Sequence, residues 1–175
     1  SDPVTLTINP QPATPAVNDT TVCFGSPTPA LIFNGTGVQW YNSGMTLVFS
    51  GDTFATGQTV VGTYTYYVSQ TSTVTTCVSD TDMVVLTINA LPATPTALDT
   101  AVCSAATIPN LTSTGTDVQW YNSAMVLVGS GNTFATGQTA AGTYTYYVTQ
   151  SDATTGCESN PDTSILTIML SPPVP

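Results

Sequence analysis

The sequence predicts an all-β chain: two tandem β-sandwich domains preceded by an isolated β-strand. Three observations lead there. One block recurs at a fixed offset of 80 residues. Apolar side chains alternate with polar ones at period two, and no helical period persists over ten residues. Turn-forming clusters punctuate the short strands at the spacing of a sandwich.

The repeat comes first, because it sets the boundaries. Trp40-Tyr41-Asn42-Ser43 recurs as Trp120-Tyr121-Asn122-Ser123. Residues 53–59 recur as 133–139, and Gly62-Thr63-Tyr64-Thr65-Tyr66-Tyr67-Val68 recurs as 142–148. Cys23 and Cys77 map onto Cys103 and Cys157 without insertion or deletion. Leu6-Thr7-Ile8 matches Leu86-Thr87-Ile88 and Leu166-Thr167-Ile168. Residues 1–12 therefore read as the final strand and linker of a preceding repeat, or as a donor strand. Residues 13–88 form repeat 1, and 89–95 are a proline-rich linker running into repeat 2 at 93–168. Residues 169–175 read as a linker to a following repeat. Proline at this density favours stiff, extended connections.

The elements follow in order. Val4, Leu6 and Ile8 share one face of the first strand. Both repeats already own the equivalent strand, so this one is expected to be buried in a third domain, on an earlier repeat of a longer chain or on a neighbouring subunit. Leaving it in water would forgo about 1.5–3 kcal/mol per side chain and expose an aggregation-prone edge. Val38 and Trp40 share a face, which places Trp40 and Trp120 in the cores. Ser50-Gly51-Asp52-Thr53 and its copy at 130–133 read as turns. Tyr64, Tyr66 and Val68 share a face, as do Val84, Leu86 and Ile88.

Charge excludes several function classes. The chain of 175 residues has no Lys, Arg or His against ten Asp plus Glu, a net charge of −10. Nucleic acid is not a partner, because phosphate neutralisation needs cations. No apolar run approaches the 18 or so residues of a membrane span. Ser1-Asp2-Pro3 does not open a signal peptide. Without an imidazole base, an amine or a guanidinium, no catalytic residue is predicted, and no cofactor. Asp80-x-Asp82 with Glu158 lacks the EF-hand spacing and reads as solvated turn carboxylates, so no metal site is predicted.

Four cysteines allow three pairings. Equivalent positions in successive domains should lie a full domain apart, which favours Cys23–Cys77 and Cys103–Cys157. Each bridge would close a loop of about 55 residues, for roughly 4 kcal/mol, and an oxidising, extracellular location follows.

The order of Cys23, an inward Trp40, the Gly62–Val68 strand, Cys77 and a closing Leu-Thr-Ile strand resembles bacterial immunoglobulin-like repeats. The likeness is to tandem Ig-like modules of Bacteroidota cell-surface and adhesin proteins. It implies two Ig-like β-sandwiches in a structural module of an extracellular filament, fibre or adhesin stalk. The expected partners are copies of the chain or adjacent repeats in a linear assembly, with covalent glycans. Asp19-Thr20-Thr21 and Asp99-Thr100-Ala101 look like the O-glycosylation acceptor of that group, with Thr20 and Thr100 modified. Asn18, Asn34 and Asn110 head N-x-Thr sequons. An alternative is a carbohydrate- or surface-binding module, in which Tyr41 and Tyr67, with Tyr121 and Tyr147, form an exposed stacking platform opposite the core face.

Overall fold

The computed structural model describes residues 2–171 and divides into two compact units, residues 1–89 and 90–175. The expectations placed on Pro172 and the residues after it lie outside the described residues. Every regular element described is a strand.

Unit 1 contains β1 (Thr20–Cys23), β2 (Leu31–Ile32), β3 (Gln39–Asn42), β4 (Leu47–Ser50), β5 (Thr53–Phe54), β6 (Gly62–Ser69) and β7 (Asp82–Asn89). A five-stranded sheet runs β1-β7-β6-β3-β4, and a two-stranded sheet pairs β2 with β5. Unit 2 contains β8 (Thr96–Ala97), β9 (Thr100–Cys103), β10 (Leu111–Thr114), β11 (Val118–Asn122), β12 (Leu127–Ser130), β13 (Thr133–Phe134), β14 (Gly142–Gln150) and β15 (Asp162–Met169). Its sheets run β12-β11-β14-β15-β9 and β13-β10-β8.

The period-two alternation becomes two cores. In unit 1, Leu31, Val38, Trp40, Phe54, Tyr66, Val68 and Val84 are buried together. The unit 2 core gathers Leu111, Val118, Trp120, Tyr146, Val148, Leu166 and Ile168. Trp40 stands opposite Val68 and donates its indole N–H to the Gly51 carbonyl at 2.9 Å. Trp120 does the same to Gly131 at 2.8 Å. The turn after β4 thus supplies the acceptor that a buried indole needs. Tyr64 Oη donates to the Val60 carbonyl at 2.9 Å and Tyr144 Oη to that of Ala140 at 3.0 Å. Each pins the start of its long strand, in the manner of an Ig tyrosine corner.

The second, smaller sheet meets this core through its Phe. Phe54 packs edge-on against Tyr66 at 5.2 Å and stacks with Phe49 at 5.5 Å. Gly129 replaces Phe49 in unit 2, so Phe134 lacks that cover and is only half-buried.

One expectation fails. Residues 4–8 carry no strand. A β-strand is defined by its ladder of inter-strand hydrogen bonds, and both equivalent places, β7 and β15, are filled by the chain's own segments.

Candidate functional site

Val4, Leu6 and Ile8 are 97%, 84% and 85% exposed, while their repeat equivalents Val84, Leu86 and Ile88 are 1%, 0% and 3% exposed. The pattern is the same and the environment is opposite. β7 is a central strand, parallel to β1 on one side and antiparallel to β6 on the other. A segment with the β7 pattern is therefore built for burial on a core and for ladders on both edges.

A second apolar surface lies on an edge strand. β4 ends the five-stranded sheet, and its Leu47, Val48 and Phe49 are all exposed. Leu127 and Val128 of β12 are exposed likewise. Edges are commonly protected by lysine, and this chain has none. Sequence reasoning passed over this edge, although an uncharged Leu47-Val48-Phe49 run marks it.

The leading end of each unit, where β7 or β15 begins, is a hydrogen-bonded clamp on the incoming chain. Gln70 Nε2 donates to the Ala13 carbonyl at 2.8 Å, and Gln150 Nε2 to that of Ala93 at 2.6 Å. Asp82 accepts the Val17 N–H at 3.0 Å, and Asp162 the Ala97 N–H at 2.8 Å. Asp19 accepts the Val85 N–H at 2.9 Å, and Asp99 the Ile165 N–H at 2.8 Å. These aspartates bind backbone donors and so fasten strands. Asp80 takes a hydrogen bond from Gln11 Nε2 at 3.2 Å. Among the described residues, no three His, Cys, Asp or Glu converge as metal ligands.

Thr20 and Thr100 open β1 and β9 and are half-buried, while Asn18, Asn34 and Asn110 are exposed. Tyr41 lies opposite Tyr67, and Tyr121 opposite Tyr147. The expected exposed platform is corrected: all four are half-buried. Directly opposite tyrosines on neighbouring strands shield part of each other's surface. Tyr41 Oη donates to Gln39 Oε1 at 2.9 Å, and Tyr121 Oη to Glu158 Oε1 at 2.7 Å. Burial, with Glu158 as hydrogen-bond acceptor and charge, raises the Tyr121 phenol above its ordinary value.

The cysteine pairing is also corrected. Cys23 and Cys157 are disulfide-bonded, whereas Cys77 and Cys103 are free thiols. The register explains why Cys23 and Cys77 do not join. Cys23 pairs with Asn89 at the trailing end of β7. Cys77 sits in the β6–β7 loop, before the strand begins at Asp82. The length of β7 alone spans about 23 Å at the usual rise, while a disulfide needs Cα atoms within about 7 Å. Cys103, opposite Met169, and Cys157, in the loop before β15, are separated in the same way.

Two open recesses mark the trailing ends. One of about 660 Å³ is lined by Phe24, Pro27, Val60 and Ile88 among others. Another of about 410 Å³ is lined by Ser104, Ile108, Pro109 and Gln138 among others. Each sits beside the cysteine that ends β1 or β9.

Two sandwiches in tandem, each a five-stranded sheet facing a smaller one with a buried Trp and a pinned corner Tyr, define an Ig-like module. The family profile described as "Ig-like domain CHU_C associated" matches residues 12–89 and 92–172, and the chain belongs to that family. A search of curated proteins finds no match. Among solved structures, the chain is similar to fibronectin(III)-like modules of Clostridium thermocellum CbhA. That match has 19% identity, covers 88% of this chain and 91% of that one, and has a TM-score of 0.44. It is also similar to the human mucin-like protocadherin EC1-2, at 10% identity, 90% and 98% coverage and a TM-score of 0.34. The Ig1-2 module of the Drosophila receptor protein tyrosine phosphatase DLAR matches at 10% identity, 87% and 95% coverage and a TM-score of 0.30.

Proposed function

We propose that the chain is a structural module of an extracellular filament, fibre or adhesin stalk, built from stacked Ig-like domains. The observation that carries this reading is the exposed Val4-Leu6-Ile8 stripe, whose equivalents in β7 and β15 are buried in the cores of their sandwiches. Covering the stripe on an earlier unit whose final strand it supplies gains about 5–9 kcal/mol in all, before ordering costs. The exposed apolar edges of β4 and β12 add a surface for lateral contact. Disulfide bonding at Cys23 and Cys157 supports an oxidising location outside the cell. No helix among the described residues is long and apolar enough to cross a membrane. A surface without a basic side chain offers no trypsin site, which suits exposed material. Covalent glycans at Thr20, Thr100 and the exposed Asn18, Asn34 and Asn110 fit the same setting.

The test is electron microscopy of the native protein beside a Leu6→Asp variant. Linear particles with the wild-type residue, lost with the charged one, support the reading. Discrete particles of one chain in both samples would remove it. The Tyr41/Tyr67 ligand platform is not favoured, because half-buried rings offer little stacking face.

A further inference from the structure

We propose that Cys77 and Cys103 are cross-linking half-sites, through which copies of this chain are joined head to tail by disulfides. The inference deepens the linear-assembly reading and rests on it.

The argument is positional. Each unit carries one cysteine at its trailing end and one in the loop at its leading end. The strand between them is far too long for the two to meet, so neither unit can satisfy its own pair. In unit 1 the trailing cysteine, Cys23, is bonded and the leading one, Cys77, is free. In unit 2 the roles reverse: the leading cysteine, Cys157, is bonded and the trailing one, Cys103, is free. Both positions therefore form bonds in this fold. Each free thiol occupies a place at which the sister repeat holds a bonded sulfur.

The local structure presents both thiols. Cys103 ends an edge strand, is exposed, and borders the recess lined by Ser104 and Ile108. Cys77 is half-buried in a loop held by the Ser72 N–H to the Cys77 carbonyl at 2.9 Å and the Thr76 N–H to the Ser72 carbonyl at 2.9 Å. Cys157 lies in the matching loop, closed by the Asp152 N–H to its carbonyl at 2.9 Å. The two loops thus hold their sulfurs in the same frame. The complement of a trailing thiol is a leading thiol on the next copy, so the arrangement is directional and open-ended.

The bond forms by exchange with a low-molecular-weight disulfide. The Cys103 thiolate attacks that disulfide and releases one small thiol. The Cys77 thiolate of a second copy attacks the mixed disulfide and releases the other. One S–S bond breaks and one forms. The two protein sulfurs are oxidised, the small disulfide is reduced, and the two protons leave on the small thiols.

The experiment incubates the intact chain, at high concentration, with oxidised and reduced glutathione and resolves it on a non-reducing gel. The expected result is a ladder of dimers, trimers and larger species that a reductant collapses to monomer. Cys77→Ser and Cys103→Ser each lose the ladder alone, while an equimolar mixture of the two recovers dimer and nothing larger. Alkylation of the wild-type chain gives a second readout, independent of the variants: two reactive thiols per chain before oxidation, falling as the ladder lengthens toward the two end positions of each polymer. Single variants that self-dimerise as readily as the mixture overturn the proposal, as does peptide mapping to Cys23–Cys77 and Cys103–Cys157. Filaments whose two thiols stay free overturn it and leave the fibre reading intact. A ladder of unordered particles without filaments overturns the fibre reading and leaves the cross-link standing.

Discussion

Leu6 and Leu86 occupy the same position of the repeat, and truncating each separates packing from pattern. Leu86 has no exposed surface and stands between Thr20 of β1 and Tyr64 of β6. Leu86→Ala removes buried methyl groups and leaves a cavity that a close-packed sandwich fills only in part, a cost of about 3 kcal/mol. That is more than a hundredfold in the folded-to-unfolded ratio of unit 1. Leu6 is 84% exposed, so Leu6→Ala in the isolated chain costs less than about 0.5 kcal/mol. Urea unfolding at low protein concentration, followed by the emission of Trp40 in a Trp120→Phe background, measures both. A loss above about 1 kcal/mol for Leu6→Ala would show the segment packing on its own unit, and the assembly account would fail. In assembled material the two substitutions should converge, because both side chains then lie in a core.

Further outcomes follow from the same geometry. Trp40→Phe removes the hydrogen bond to Gly51 and part of the contact with Phe54, and should lower unit 1 stability by about 2 kcal/mol in urea titrations. Gly156 has φ 69° with open space around a Cβ, so Gly156→Ala should cost unit 2 about 1 kcal/mol through backbone strain alone. The raised Tyr121 phenol means the folded chain keeps its proton above pH 10.0, where the unfolded chain releases it. Unit 2 stability is then full below that pH and falls as pH rises through the folded value. Glu158→Gln removes one cause, and phenolate absorbance should place Tyr121 at a lower pH. Added salt should not weaken contacts between copies: no side-chain ion pair exists to screen, and the repulsion of −10 charges is relieved. Light scattering across a salt series checks this.

The strands were legible because their alternation is local. Val38 with Trp40, and Tyr64 with Tyr66 and Val68, declare an inward face within five residues, and the fixed offset repeats it. The cysteine pairing was not legible. Offset identity says which positions correspond, but not at which end of a sandwich each lies. That depends on β1 running parallel to β7, a pairing between segments more than sixty residues apart. The clamps were hidden for the same reason. Asp82 and Asp162 read as turn residues before the last strand, yet their carboxylates hold the chain near Val17 and Ala97. The tyrosine platform was half legible: alternation assigned Tyr41 and Tyr67 to the outer face and to neighbouring strands, but not the depth of their cover. The substitution of Gly129 for Phe49 is visible in the sequence, and its effect on Phe134 emerges only once the two sheets are packed.

Amide hydrogen exchange on intact native assemblies addresses the amino-terminal stripe most directly. The account predicts that the amides of residues 4–8 exchange as slowly as those of residues 84–88, since both sets would lie in interior ladders. Free exchange along 4–8 in intact fibres, beside full protection of 84–88, would contradict it.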